Sequence, residues 1–380
     1  MNSKTNILKS NIQDTGVILA KNNPFYIAEF ATGVGKTLLF IKLLEEMGGK
    51  WNIVLAETNH KNNWIDEFIK HDKVGLLKNV EFFCYASLHK HLNDENYCFD
   101  EIHTLLNTPR RLNFLRDLVD MNLKRFVGLS ATLSRTQKSN LNDILPNVFY
   151  HKVPISYAIE KEILPEPKVY LIGIDLKATK QIHPFNVTKN KTLYYNSVDW
   201  YNAQSNRIDY YKQLYFNSRN EWEKTRWLRE GNNRKKFLAE LKTPFAAQLL
   251  TKLQDKRLIC FTYSISQSEI LSKGNSIHSK ISSELREDMI KDFNEGKIDK
   301  LFTTKMLREG MNLNNIEVGV MVQLDNNIRS MSQSLGRVLR SSYPEYYILY
   351  VKNTQDEVYL NTVLEEFNKE YVYTLNINDL

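Results

Sequence analysis

Cysteine is scarce. Three residues in 380, Cys84, Cys98 and Cys260, stand far apart along the chain. They fit neither a disulfide framework nor a zinc-ligand spacing, which points to a reducing, cytoplasmic compartment. The eight histidines show no metal-ligand spacing either. No run of about 18 apolar residues occurs, so no membrane-spanning helix is expected. The opening residues, MNSKTNILKSNIQDTG, lack the apolar stretch of a signal peptide. Low-complexity tracts and repeats of fixed period are missing too. What remains is a globular composition, 42% hydrophobic, with length enough for two domains.

Charge is unevenly spread. The formal net charge is +7. Between Leu171 and Leu250 there are 14 Lys and Arg against 7 Asp and Glu, so this one segment holds the whole excess. A basic segment fits an anionic partner such as nucleic acid; a Lys- and Asn-rich coding bias would give the same total.

Up to about Lys168, short apolar runs alternate with helical patterns. FYIAEF, WNIVLAE, VEFFCYA, NYCFDE and RFVGLSA read as buried strands, KTLLFIKLLEEM and NNWIDEFIKH as helices. The same grammar returns in RLICFTYS, KLFTTKM, VGVMVQL and YYILYVK, separated by helical patterns such as SELREDMIKDFNEG. Strands alternating with helices imply parallel sheets covered on both faces. The expected fold is therefore α/β, with two such domains. Between them lies a basic, aromatic stretch, read as mostly helical.

Residues 31–37, Ala-Thr-Gly-Val-Gly-Lys-Thr, follow a strand and precede a helix, the setting of a phosphate-binding loop. Gly33 and Gly35 let the backbone turn its N–H groups toward phosphates. Lys36 reaches the β- and γ-phosphates, the Thr37 hydroxyl ligates Mg²⁺, and Thr32 and Val34 complete the loop. The general pattern asks for Gly at position 30, where this chain has Phe30. Further on, Cys98-Phe99-Asp100-Glu101-Ile102-His103 ends a strand in two acids, where open α/β sheets bind ligands. Asp100 is expected to hold Mg²⁺ and Glu101 to polarise the attacking water.

ATGVGKT, DEIH and the Ser130-Ala131-Thr132 of GLSATL resemble motifs I, II and III of superfamily 2 helicases. LFTTKMLREGMNL (301–313) looks like motif V. Gln333 to Arg340, QSLGRVLR, looks like motif VI. The resemblance implies two tandem RecA-like domains and an ATPase using ATP and Mg²⁺. Gln333 would then face the γ-phosphate, and Arg337 and Arg340 would act as arginine fingers, worth roughly 10³–10⁵ in rate in related phosphoryl transfers. Gly310 and Asn312 would lie near the ribose; the family usually has Asp where this chain has Asn312. Ser130 and Thr132 would couple ATP state to nucleic-acid grip. Gln13 sits upstream of the loop at a spacing that resembles the adenine-reading Q motif. Glu57-Thr58 followed by Trp64 resembles motif Ia, and Tyr85-Ala86-Ser87 the next nucleic-acid motif. Thr58, Ser87, Thr303 and Thr304 are candidate phosphate contacts, although each fits an ordinary cap or turn equally well.

The resemblance runs from about residue 8 to 360 with the middle excepted. It implies residues 1–168 as the first RecA-like domain with motifs I to III, 169–245 as a helical basic and aromatic linker or insertion, and 246–380 as the second domain with motifs IV to VI. The stretch after SATL, together with DEIH and Trp64, is similar to a group of DNA translocases: phage recombination helicases of the UvsW kind, XPB-like helicases and Swi/Snf-type remodellers. Compact length points to a phage or mobile-element version. DNA, duplex or branched, is the favoured partner, with single-strand-binding or recombination proteins beside it; oligomeric state is open. An RNA helicase, a binding module with a dead motor, and a motor subunit of a restriction or defence complex stay open as alternatives. In the middle segment Arg234, Lys235 and Lys236 are the phosphate candidates, clustered around an expected turn at Gly231. Its aromatics fit either base stacking or packing on the second domain.

Overall fold

The computed structural model describes residues 3–58, 60–90, 95–121, 123–178, 181–188, 191–304, 313, 315–324, 341, 343–365 and 367–376. The chain forms two compact units, the first made mainly of residues up to Glu166 and the second mainly of residues from Pro167 onward.

The first unit is built on a six-stranded parallel sheet. Its strands are β1 (Phe25–Phe30), β2 (Trp51–Leu55), β3 (Val80–Cys84), β4 (Asn96–Phe99), β5 (Arg125–Ser130) and β6 (Phe149–Val153), in the order β3-β2-β4-β5-β1-β6. β1, β2, β4 and β5 are almost wholly buried, as parallel strands covered by helices must be. That explains their near-continuous apolar sequences. The helices are α1 (Ser3–Asn22), α2 (Lys36–Met47), α3 (His60–Lys70), α4 (Pro109–Asp120), α5 (Arg135–Asn142) and α6 (Ile155–Glu160). Leu39, Phe40, Ile41, Leu43 and Leu44 bury the inner face of α2. A cluster around Phe99, Ile102, Leu115 and Phe126 fills the space beneath α4.

The order of the strands matters for function. β5 lies between β4 and β1, all three parallel. Whatever follows these strands therefore emerges side by side at one edge. The segments after β2 and β3 emerge at the same edge.

The second unit has a seven-stranded parallel sheet: β7 (Lys168–Ile174), β10 (Leu258–Phe261), β11 (Ser276–Ile277), β12 (Lys300–Thr303), β13 (Val318–Met321), β14 (Glu345–Val351) and β15 (Val372–Leu375), ordered β11-β12-β10-β13-β14-β7-β15. Strands β8 (Ile182–Thr188) and β9 (Lys191–Asn196) make a separate antiparallel hairpin. Helices α7 (Ser197–Ser218) and α8 (Glu221–Lys252) follow it; α9 (Ile265–Ser272), α10 (Ser283–Asn294) and α11 (Gln355–Leu364) are the other α-helices among its described residues.

The middle segment differs from the helical linker expected for 169–245. Its first residues form β7, a strand flanked by β14 and β15 inside the second sheet. Val169, Leu171, Ile172 and Ile174 supply buried contacts there. The expected turn at Gly231 is also absent: Gly231 lies inside the 32-residue helix α8, which runs on through Pro244. Leu228, Arg229 and Glu230 before it, Arg234 to Lys236 a little further on, and burial of Phe237, Leu238, Leu241, Ala246 and Leu249 outweigh a mid-helix glycine cost of about 1 kcal/mol.

Candidate nucleotide site and nucleic-acid contacts

At the carboxyl end of β1 the loop turns through two left-handed glycines, Gly33 at φ 94° and Gly35 at φ 101°. A side chain at Gly35 would collide with Gln13, its Cβ falling 2.2 Å from Nε2. Gln13 reaches the loop from α1, where its buried amide donates to the Val34 carbonyl at 3.1 Å. Lys36 begins α2 and donates its ammonium to the Phe30 carbonyl at 3.2 Å. The departure at Phe30 is thereby explained: the side chain is a buried strand residue, and the loop uses only its backbone oxygen. The first N–H groups of α2 have no partner within the helix. With the helix dipole they form an anion site, and Thr32 and Thr37 stand half-buried beside it.

Asp100 and Glu101 follow β4. The Asp100 amide donates to the Val54 carbonyl at 2.9 Å, and its carbonyl accepts from Tyr85 Oη at 2.8 Å. Its carboxylate accepts the indole N–H of Trp64 at 3.0 Å. Burial first, and then the charge of Glu101, push the Asp100 carboxyl above its usual range; Trp64, His60 and Lys36 oppose them. A divalent cation would relieve both causes. Glu101 has φ 48°, an uncommon conformation for a non-glycine residue, and its Oε2 lies 3.3 Å from Nδ1 of His103. Among the described residues no group of three or more His, Cys, Asp or Glu is placed to hold a metal ion. One carboxylate plus the Thr37 hydroxyl suits Mg²⁺ that keeps water and phosphate ligands, so the donor set fits Mg²⁺-ATP.

Ser130 ends β5 fully buried, its hydroxyl donating to the Thr132 carbonyl at 3.2 Å. Two further residues, not foreseen from the sequence, tie this turn to its neighbours. Glu29 of β1 is buried, accepting from the Leu133 amide at 3.2 Å and from Lys138 at 2.6 Å. Gln137 of α5 donates to Asn107 at 2.8 Å, just beyond the DEIH segment. A lone acid inside the apolar run FYIAEF was the available signal for Glu29.

The expected nucleic-acid residues are placed differently from one another. Thr58 is exposed and Ser87 half-buried after β2 and β3. Thr303 is fully buried, its hydroxyl donating to the Thr304 carbonyl at 2.8 Å, and Thr304 is nearly so. Arg234 is engaged internally: it donates to Ser205 at 3.0 Å and Gln355 at 3.1 Å and lies over Tyr201. Lys235 lies 5.3 Å from the centre of the Tyr359 ring. Exposed Lys236 pairs with Glu240 at 3.6 Å. Gly310, Asn312, Gln333, Arg337 and Arg340 lie outside the described residues. No described helix is long and apolar enough to cross a membrane.

Residues 241–342 match the helicase conserved C-terminal domain. Comparison with curated proteins finds no match. Among solved structures the chain is similar to Saccharomyces cerevisiae Dbp5 bound to RNA and ADP BeF3, with TM-score 0.63 and 14% identity, covering 97% of this chain and 90% of that one. It is also similar to a yeast Dbp5 variant bound to Gle1 and IP6, with TM-score 0.57 and 14% identity, covering 96% and 88%. At such identity the likeness is one of fold. The architecture is that of two tandem RecA-like domains, and the helicase C-terminal match falls within the second half of the chain.

Proposed function

We propose that the chain is an ATP-hydrolysing motor that moves along and remodels a nucleic acid. One observation carries this reading. A left-handed glycine loop with Lys36 and the Asp100–Glu101 pair stand at the carboxyl ends of β1 and β4, parallel strands with only β5 between them. In this reading Lys36 binds the β- and γ-phosphates and orients the outer one. Gln13 braces the loop on the adenine side. Thr37 and Asp100 hold Mg²⁺, and Glu101 receives the proton of the attacking water. Gly310 and Asn312 contact the ribose. Gln333, Arg337 and Arg340 act on the γ-phosphate, as their sequence pattern implies. Ser130 and Thr132 pass the state of the site to the nucleic acid through the turn that Glu29 braces. Mg²⁺-ATP supplies the phosphoryl group and the free energy that drives movement.

DNA is the polymer favoured by the DEIH and Trp64 resemblance. RNA is the second reading, favoured by the similarity to Dbp5, a protein solved with RNA bound. The test is the ATPase rate of the chain alone and with single-stranded DNA, duplex, fork, four-way junction and RNA. Stimulation by DNA, abolished by Glu101→Gln, is expected. Stimulation by RNA alone would select the second reading, and no stimulation by any polymer would remove the motor reading.

A further inference from the structure

Helices α7 and α8 pack against each other, and their far ends form an arm. Ile208 on α7 and Glu230 on α8 are the last buried residues toward the tip. Gln204 donates to both the carbonyl and the carboxylate of Glu230, each at 2.9 Å, closing the base of the arm. From Asp209 to Arg229 no side chain is buried. Yet residues 210–229 hold six aromatic residues, and five Lys and Arg against two Glu.

Some of these rings hold the arm together. Tyr215 stacks on Trp227 with centroids 6.1 Å apart. Arg226 donates to Tyr211 Oη at 3.2 Å. Others face solvent: Tyr210 and Trp222 are each 58% exposed, Phe216 48% and Leu228 54%. Two of these outer rings, Trp222 and Phe216, carry a cation. The Arg226 guanidinium lies 3.8 Å from the Trp222 ring centre, and Arg219 lies 5.3 Å from that of Phe216. Large exposed apolar side chains on a segment with no core of its own mark a docking surface. The positive excess selects an anionic partner, and flat rings beside cations suit unpaired bases with their phosphates.

We propose that the tip of this arm, through Phe216, Trp222, Arg219 and Arg226, binds the single-stranded part of the nucleic acid by stacking its unpaired bases. The proposal rests on the motor reading above and moves the grip from Arg234, Lys235 and Lys236, which have contacts within the fold, to the arm.

The test is labelled-oligonucleotide binding by wild type and Phe216→Ala/Trp222→Ala, on single strand, fork and blunt duplex. Both side chains are exposed, so folding is expected to survive. The double variant should lose about tenfold or more in affinity for single strand and fork. Blunt duplex binding and basal ATPase should not change. The salt slope should also hold, because rings neutralise no phosphates. Tryptophan fluorescence gives a second measure. Trp51 and Trp64 are buried, and Trp200 stacks on Phe237 at 3.9 Å, so quenching by single strand should come from the arm and shrink in Trp222→Phe. If wild type binds every polymer and the double variant binds equally well, the arm proposal fails while the motor reading stands. Wild type that binds no polymer removes both. Equal affinity with a change in oligomeric mass would overturn the proposal in favour of self-association.

Discussion

The indole N–H of Trp64 donates to Oδ2 of Asp100 at 3.0 Å. A helix residue that the sequence marks only as part of motif Ia thus fixes the carboxylate proposed to hold Mg²⁺. Trp64 also packs edge-on against Phe40 of α2 at 5.7 Å, so the bond and the packing are separable. Trp64→Phe keeps a ring and removes the donor. The expected result is a several-fold rise in the Mg²⁺ concentration for half-maximal ATPase, with a stability loss of about 1 kcal/mol. An unchanged Mg²⁺ requirement would leave Trp64 as packing alone.

Gly35 tests the loop itself. Alanine there meets both φ 101° and the Gln13 amide. Gly35→Ala should weaken ATP binding at least tenfold, measured with a fluorescent nucleotide. Lys36→Ala should do the same by charge. Normal binding in Gly35→Ala would mean that the loop does not touch the nucleotide.

Catalysis should separate from binding. Glu101→Gln should bind ATP and stop turnover, since the amide cannot take the proton of water. Arg340→Ala should bind ATP and hydrolyse it about 10²-fold or more slowly, and Arg340→Lys should rescue poorly because a point charge lacks the planar fork. Single-turnover rates close to wild type in either alanine or glutamine variant would cancel that residue's role.

The strands and glycine loop were legible because their signals are local. FYIAEF, NYCFDE and RFVGLSA each carry their burial in a few consecutive residues, and ATGVGKT carries its own turn. β7 was not legible, because its partners β14 and β15 lie more than 170 residues away. No local pattern states who pairs with whom. Gly231 misled for a related reason: a glycine signals a turn locally, while packing across a long helix decides otherwise. The bonds from Glu29 and Trp64 to their partners were equally silent, since each spans segments joined only by sheet order.

His151 gives a pH dependence. It shares a 2.8 Å hydrogen bond with Tyr26 and meets Phe30 edge-on. Burial holds its imidazole below the ordinary 6.5. The unfolded chain therefore takes up the proton first as pH falls. This contribution to stability is complete above 6.5 and is lost as pH falls through that value toward the lower folded one. His151→Gln should have a flatter melting temperature than wild type from neutral pH downward. Parallel curves for the two proteins would refute the assignment.

Lys242 and Asp356 form a 2.6 Å ion pair with both side chains fully buried. It pins α8 to α11 and the end of β14. Asp356 also accepts from the Val351 amide at 3.2 Å and from Gln323 at 3.0 Å. Burial lowers the Lys242 ammonium, and the charge of Asp356 opposes the shift. Removing one partner leaves a buried charge without compensation, at a cost of about 3–5 kcal/mol. Lys242→Met should therefore destabilise the second unit by that amount in urea. Lys242→Met/Asp356→Asn should recover part of the loss. Its amide oxygen can still accept from Val351, and its NH₂ can donate to Gln323 once that amide, which now presents Nε2, turns its Oε1 toward position 356. The sign of the coupling is the decisive quantity. If the double variant is less stable than Lys242→Met, the uncompensated charge is not what the single substitution exposes, and Asp356 matters through its backbone bonds instead.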